Sequence, residues 1–242
     1  MAADRVGNDA HSPEIIDERQ GECKLMNYIG TRSAMPTAIL AILFSTTGFA
    51  ASKNMATTSK GLQAKMAYCQ DCHGLSGQGY SGVLPIPRIA TQKTAYITNQ
   101  LLDFSESRRD SNVSVDMPKI HSVSPVMRVA LASHFSGLNP KPPGDGPKNL
   151  VNTGKKIYEE GIPEANVPAC SGCHGPKARG EGKIPRLAGQ LYPYTVKELG
   201  NWIKERRQHS TNEDTSAVMT PVAHSLNQTK IAAVAAYLSY LK

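Results

Sequence analysis

One short pattern, present twice, sets most of what this chain can fold into: Cys69-Gln70-Asp71-Cys72-His73-Gly74 and Cys170-Ser171-Gly172-Cys173-His174-Gly175. In each copy two thiols lie one helical turn apart, and an imidazole follows the second directly. These copies take four of the five cysteines in 242 residues, and Cys23 lies far upstream of them. The rival uses of paired cysteines are a zinc site, a redox dithiol and a structural disulfide. Zinc would want a second ligand pair and has no need of a histidine at that place, and a thioredoxin-like dithiol would need a βαβ pattern that is absent. Two chance matches in register inside a repeat are far rarer than one. The pattern fits covalent haem: each thiol pair forms thioethers with the two vinyl groups, and the next residue sets an imidazole beneath the iron.

The duplication extends well beyond the cysteines. Pro87-Arg88-Ile89-Ala90-Thr91-Gln92 matches Pro185-Arg186-Leu187-Ala188-Gly189-Gln190, Tyr96 matches Tyr194, Phe104 matches Trp202, and Arg108-Arg109 match Arg206-Arg207. Met117-Pro118-Lys119-Ile120-His121 then matches Met219-Thr220-Pro221-Val222-Ala223-His224, with one residue fewer between Met and Pro in the first copy. Between the copies, Asn139 to Pro147 is too rich in proline and glycine to continue any regular element. The expected organisation is residues 51–138 as one domain, 139–148 as linker and 149–242 as a second. Copies of this size make marginal cores from side chains alone, and a large buried cofactor would add apolar contact.

The pattern predicts helices throughout. Thr58 to Tyr68 and Asn152 to Glu160 lead toward the cysteines, Lys93 to Arg109 and Pro193 to Gln208 form the middle of each copy, and Ser124 to Leu138 and Asn227 to Leu241 close them. Ile231, Val234, Ala235, Leu238 and Leu241 make an apolar stripe on the last. No segment reads as strand, so the fold class is all-α.

Residues 26–50 read as an export signal: Arg32, an apolar run from Ala34 to Phe44, and Gly48-Phe49-Ala50 as the cleavage site, with an uncleaved anchor as the alternative. Residues 1–25 are expected to be an over-extended or non-native start. The rest carries 23 basic and 14 acidic side chains, a charge of +9. Such an excess suits an acidic protein partner or peripheral contact with anionic lipid. It does not suit nucleic acid here, because the basic residues form no tract and export gives the wrong compartment. Export also agrees with haem attachment, which takes place outside the cytoplasm.

The run Cys-Ser-Gly-Cys-His-Gly, Ile184-Pro185-Arg186-Leu187-Ala188-Gly189-Gln190, Tyr194 with its following helix, and Met219-Thr220-Pro221-Val222-Ala223-His224-Ser225-Leu226, duplicated across a proline-rich linker, resembles the diheme cytochrome c4 family over residues 58–242. The resemblance implies two tandem class I cytochrome c-like helical domains, each wrapped around a covalent haem, two haem c groups in all. It implies a periplasmic one-electron carrier between a quinol:cytochrome c reductase-type donor and a haem-copper oxidase-type acceptor. The axial iron ligands carry over as His73 and His174 on the proximal side and Met117 and Met219 on the distal side, with thioethers at Cys69, Cys72, Cys170 and Cys173. Thioether sulfur as sixth ligand also suits a carrier, since it saturates the iron and raises its potential. His121 and His224, themselves duplicated, and Met127 compete for the distal positions. In such domains the Pro87 and Pro185 loops offer a carbonyl to the proximal imidazole, and Arg88, Arg186, Tyr96, Tyr194 and Trp202 are candidates for holding propionates.

Catalysis is disfavoured. A diheme peroxidase would keep one iron open, whereas both copies offer a distal ligand, and after the expected cleavage no cysteine is left over for the ligand of a thiosulfate-oxidising enzyme. The alternative is an electron-accepting subunit of a larger dehydrogenase, such as a sulfide-oxidising flavocytochrome. The loop after the second motif carries Lys177, Arg179 and Lys183, whereas Leu75 to Leu84 is uncharged, so the second copy is expected to offer the electrostatic face.

Overall fold

The computed structural model describes residues 48–110, 121–206 and 215–242. Helices carry both halves: α1 (Gly48–His73), α2 (Thr94–Ser105) and α3 (Pro125–Gly137) in the first, then α4 (Val151–Glu160), α5 (Ser171–His174), α6 (Tyr192–Gly200), α7 (Trp202–Glu205), α8 (Met219–Ser225) and α9 (Gln228–Tyr240) in the second. Among the described residues β pairing is confined to isolated bridges. No described helix is long and apolar enough to cross a membrane.

The closing helices start where side-chain chemistry dictates. The Ser124 hydroxyl accepts the Met127 amide, with Pro125 in the first turn, and the Asn227 side-chain carbonyl accepts the Lys230 amide. α3 then buries Leu131, Ala132 and Phe135 against Ile97 of α2 and Met66 of α1. In the second half α9 buries Ile231, Val234 and Leu238 against Ile157 and Tyr158 of α4. Gly154 permits this crossing, because a side chain there would strike the Ala233 carbonyl.

Three expectations are corrected. The first helix does not stop at Tyr68 but runs on through the cysteine motif to His73. The second middle helix is broken at Asn201 into α6 and α7 and ends at Glu205, because Arg206 turns extended to pair with Arg109. α9 is buried on nearly every face from Ala233 to Ser239 rather than along one stripe. The linker explains this last difference: Gly144 donates to the Ser239 carbonyl, Gly146 to the Ser239 hydroxyl, and the Tyr240 hydroxyl to the Gly146 carbonyl. The proline-rich segment is therefore a third wall around α9.

Candidate haem sites and the seam between the halves

Each cysteine motif is helical, the first as the last turns of α1 and the second as α5 and the residue before it. Cys69 and Cys170 are half-buried against the two cores, while Cys72 and Cys173 are exposed, and none of the four forms a disulfide. Burial pushes the Cys69 thiol up, and the Cys170 thiol up to about 11. Among the described residues no three His, Cys, Asp or Glu side chains gather as a metal site made of protein ligands alone.

His73 Nδ1 lies 2.8 Å from the Pro87 carbonyl oxygen, and His174 Nδ1 lies 3.0 Å from that of Pro185. A carbonyl only accepts, so Nδ1 carries the proton and Nε2 presents its lone pair. Burial lowers the pKa of both rings, opposed by the carbonyl bond, and keeps them in the neutral form that ligates metal. The loops that deliver these carbonyls are closed alike. Gly79 N–H donates to the His73 carbonyl and Gly180 N–H to that of His174, at 2.8 and 2.9 Å. Both glycines have positive φ, +80° and +61°, and a side chain at Gly180 would run into the Pro185 carbonyl that His174 uses.

Of the residues expected as distal ligands, Met219 opens α8 and is half-buried, and Val222 of the same helix packs on the core, whereas His224 is exposed. Met117 lies outside the described residues. The half-buried His121 ring stacks on Phe104 with centroids 4.6 Å apart, and Met127 packs against the first core.

The residues expected to hold propionates divide. Trp202 Nε1 is buried with no partner among the described residues, a state that costs about 1–3 kcal/mol until an acceptor fills it. Arg88 instead gives its two terminal nitrogens to the Lys141 and Pro140 carbonyls, at 2.9 and 2.6 Å, and ties down the linker. Arg186 Nε donates to its own loop at Ala188, and the Tyr194 hydroxyl accepts from Arg109 at 2.9 Å. Paired thiols, a neutral imidazole with Nε2 free and the unpartnered indole N–H of Trp202 are together a donor set that fits haem c.

The Cytochrome c family profile matches residues 151–242. The cytochrome c4 of Thiocapsa roseopersicina is 35% identical over 178 residues, which span 72% of this chain and 86% of that protein. The chain belongs to the cytochrome c4 family. The solved cytochrome c4 of Acidithiobacillus ferrooxidans superposes with a TM-score of 0.63 at 30% identity, over 72% of this chain and 99% of that one. A protein of Thiomonas intermedia named thiosulfate dehydrogenase electron acceptor is 30% identical over 89% of this chain and 94% of its own. As a cytochrome c4, the chain is a c-type electron carrier that holds haem c covalently.

Two sets of residues in this cytochrome c4 had no function assigned from sequence. Gln92 Nε2 donates to the Arg186 carbonyl at 2.9 Å while Arg186 N–H donates to Gln92 Oε1 at 2.7 Å; Gln190 makes the same two bonds to Arg88, both at 2.9 Å. Each glutamine therefore reads the backbone beside the opposite copy's arginine. The second set is a buried charge cluster. Gln100 Oε1 accepts from both Arg109 and Arg206 at 2.6 Å, and Glu198 accepts from both as well, from Arg109 at 3.0 Å. Burial alone would raise the Glu198 carboxyl, but Arg109 and Arg206 hold it down to about 2. The duplicated glutamines were the available signal for the first set. Nothing in the repeat gave one for Glu198, whose counterpart is not acidic.

Proposed function

We propose that this chain is an exported, periplasmic diheme carrier that passes single electrons toward a terminal oxidase. Cys69 and Cys72 attach one haem and Cys170 and Cys173 the other. His73 and His174 are the proximal ligands, and Met117 and Met219 the distal ones. The bound haems supply the one-electron couple. Pro87 and Pro185 fix each histidine's tautomer and aim, Trp202 offers its N–H to a propionate, and the two hydrophobic cores keep water from the irons. The observation that carries this reading is the imidazole-to-proline-carbonyl bond, made in both copies by loops of the same construction. The test is a potentiometric titration of the exported protein followed by absorption. Two one-electron waves and a far-red methionine–iron band in the ferric form are expected; a single wave, or a ferric spectrum without that band, would overturn the haem count or the ligand set.

A second reading draws on relatives named thiosulfate dehydrogenase electron acceptors: in it, electrons are delivered by a dehydrogenase rather than a quinol-linked donor. Copurification with such an enzyme would decide for it. In either case docking should be asymmetric. Lys177, Arg179 and Lys183 are all exposed, whereas the matching first-half loop exposes Leu75, Tyr80, Val83 and Leu84. Replacing the three basic residues by Gln should slow electron transfer to an acidic partner at low salt and flatten its salt dependence, since such steering is screened over about 8 Å at physiological ionic strength. Equal rates at every salt concentration would count against that face.

A further inference from the structure

Between the halves, Arg109 and Arg206 approach through a bridge of their own backbones, with Asp110 N–H donating to the Glu205 carbonyl at 2.8 Å. Both guanidiniums are buried, 8% and 5% exposed. Each lies over the aromatic ring at the duplicated position of its own half, Arg109 over Phe104 at 4.8 Å and Arg206 over Trp202 at 4.6 Å. Both also share the same two acceptors, Gln100 and Glu198. These acceptors correspond: Gln100 stands 98 residues before Glu198, the spacing that relates Tyr96 to Tyr194 and Phe104 to Trp202. One copy thus supplies an amide and the other a carboxylate; the neighbouring buried carboxylates, Asp103 and Glu205, are paired with cations of their own, Arg108 and Lys197, so among the described residues Glu198 is the one anion that Arg109 and Arg206 share.

A carboxylate in place of the amide would meet the same two guanidiniums and cancel the second charge, at the loss of the N–H that Gln100 gives Asp103. The chain instead keeps a positive excess where water does not screen it, beside the indole whose N–H has no partner among the described residues. Positive charge in a poorly screened interior favours whichever redox state holds one more electron.

We propose that Gln100, Arg109, Glu198 and Arg206 form a shared charge device at the seam that raises the reduction potentials of both haems, with residue 100 setting its strength. This rests on the two-haem reading above. Gln100→Glu adds a negative charge and keeps both guanidinium contacts while giving up the Nε2 donation to Asp103 Oδ2 at 3.0 Å, and Glu198→Gln removes a negative charge with little change of shape, so the two variants push in opposite directions. In the haem-loaded, full-length protein, Gln100→Glu should lower both midpoint potentials, the more sensitive haem by about tenfold in its electron-uptake equilibrium, or about 59 mV. Glu198→Gln should raise them. Should Glu198→Gln fail to fold, the Gln100→Glu shift decides alone. Unmoved potentials, or shifts of the same sign in both variants, with circular dichroism and Soret band unchanged, would overturn the proposal and leave the cluster a structural clasp. A single wave in the unaltered protein would instead overturn the two-haem premise, so the two failures are distinguishable.

Discussion

His174→Ala should cost the second half both its haem spectrum and its stability, whereas Met219→Ala should leave the haem attached and lower its potential. His174 is buried, and its ring spends one nitrogen on Pro185, leaving the other for the iron. Removing the ring opens a hole beside a core whose size already makes it depend on the cofactor, and a loss of several kcal/mol is the scale for such truncations. Met219 sits at the start of a short helix that Val222 anchors independently, so its loss leaves the fold standing. Water or a nearby histidine would then take its place, and without the thioether the ferric state gains. Thermal melting with absorption-detected titration separates the two outcomes. An unchanged spectrum and potential in Met219→Ala, with both altered in His224→Ala, would transfer the ligand to His224.

The second large effect is on the seam. Glu198→Ala leaves Arg109 and Arg206 buried with only Gln100 and Tyr194 as acceptors, and breaking a buried pair by removing one partner costs about 3–5 kcal/mol. The same carboxylate should govern acid stability. Its pKa lies near 2 in the folded protein against an ordinary 4.5, so the folded state is favoured fully above about 4.5 and loses that advantage as pH falls toward 2. Arg109, Arg206, Tyr194 and Glu205 are the titratable groups that face it. Melting temperatures from pH 7 to 2 should fall more steeply in the unaltered protein than in Glu198→Gln. Parallel curves would show that the carboxylate is not coupled to folding.

The haem motifs, the repeat and the closing helices were legible because each is written in local chemistry: a thiol spacing, a helix-capping Ser or Asn, an apolar stripe. The proline carbonyls that orient His73 and His174 were legible too, through what the family resemblance implies for that loop. What escaped were contacts between the copies. Arg88 read as a propionate ligand, because sequence does not show that the linker doubles back to offer it two carbonyls. Glu198 and Gln100 drew no role from the sequence, because each takes its second guanidinium from across the seam, Arg109 for Glu198 and Arg206 for Gln100. The helix end at Glu205 has the same cause: a long-range pairing of Arg206 overrode a helical pattern that was locally sound.

The crossed glutamines carry a consequence for symmetry. Contacts in which residue i of one body meets j of another, while j of the first meets i of the second, are the signature of a two-fold interface. Gln92 and Gln190 keep that exchange within one polypeptide. Because both bodies belong to one chain, each side of the seam can differ from its twin, and position 100 holds an amide where 198 holds a carboxylate, an asymmetry no identical pair of subunits can encode.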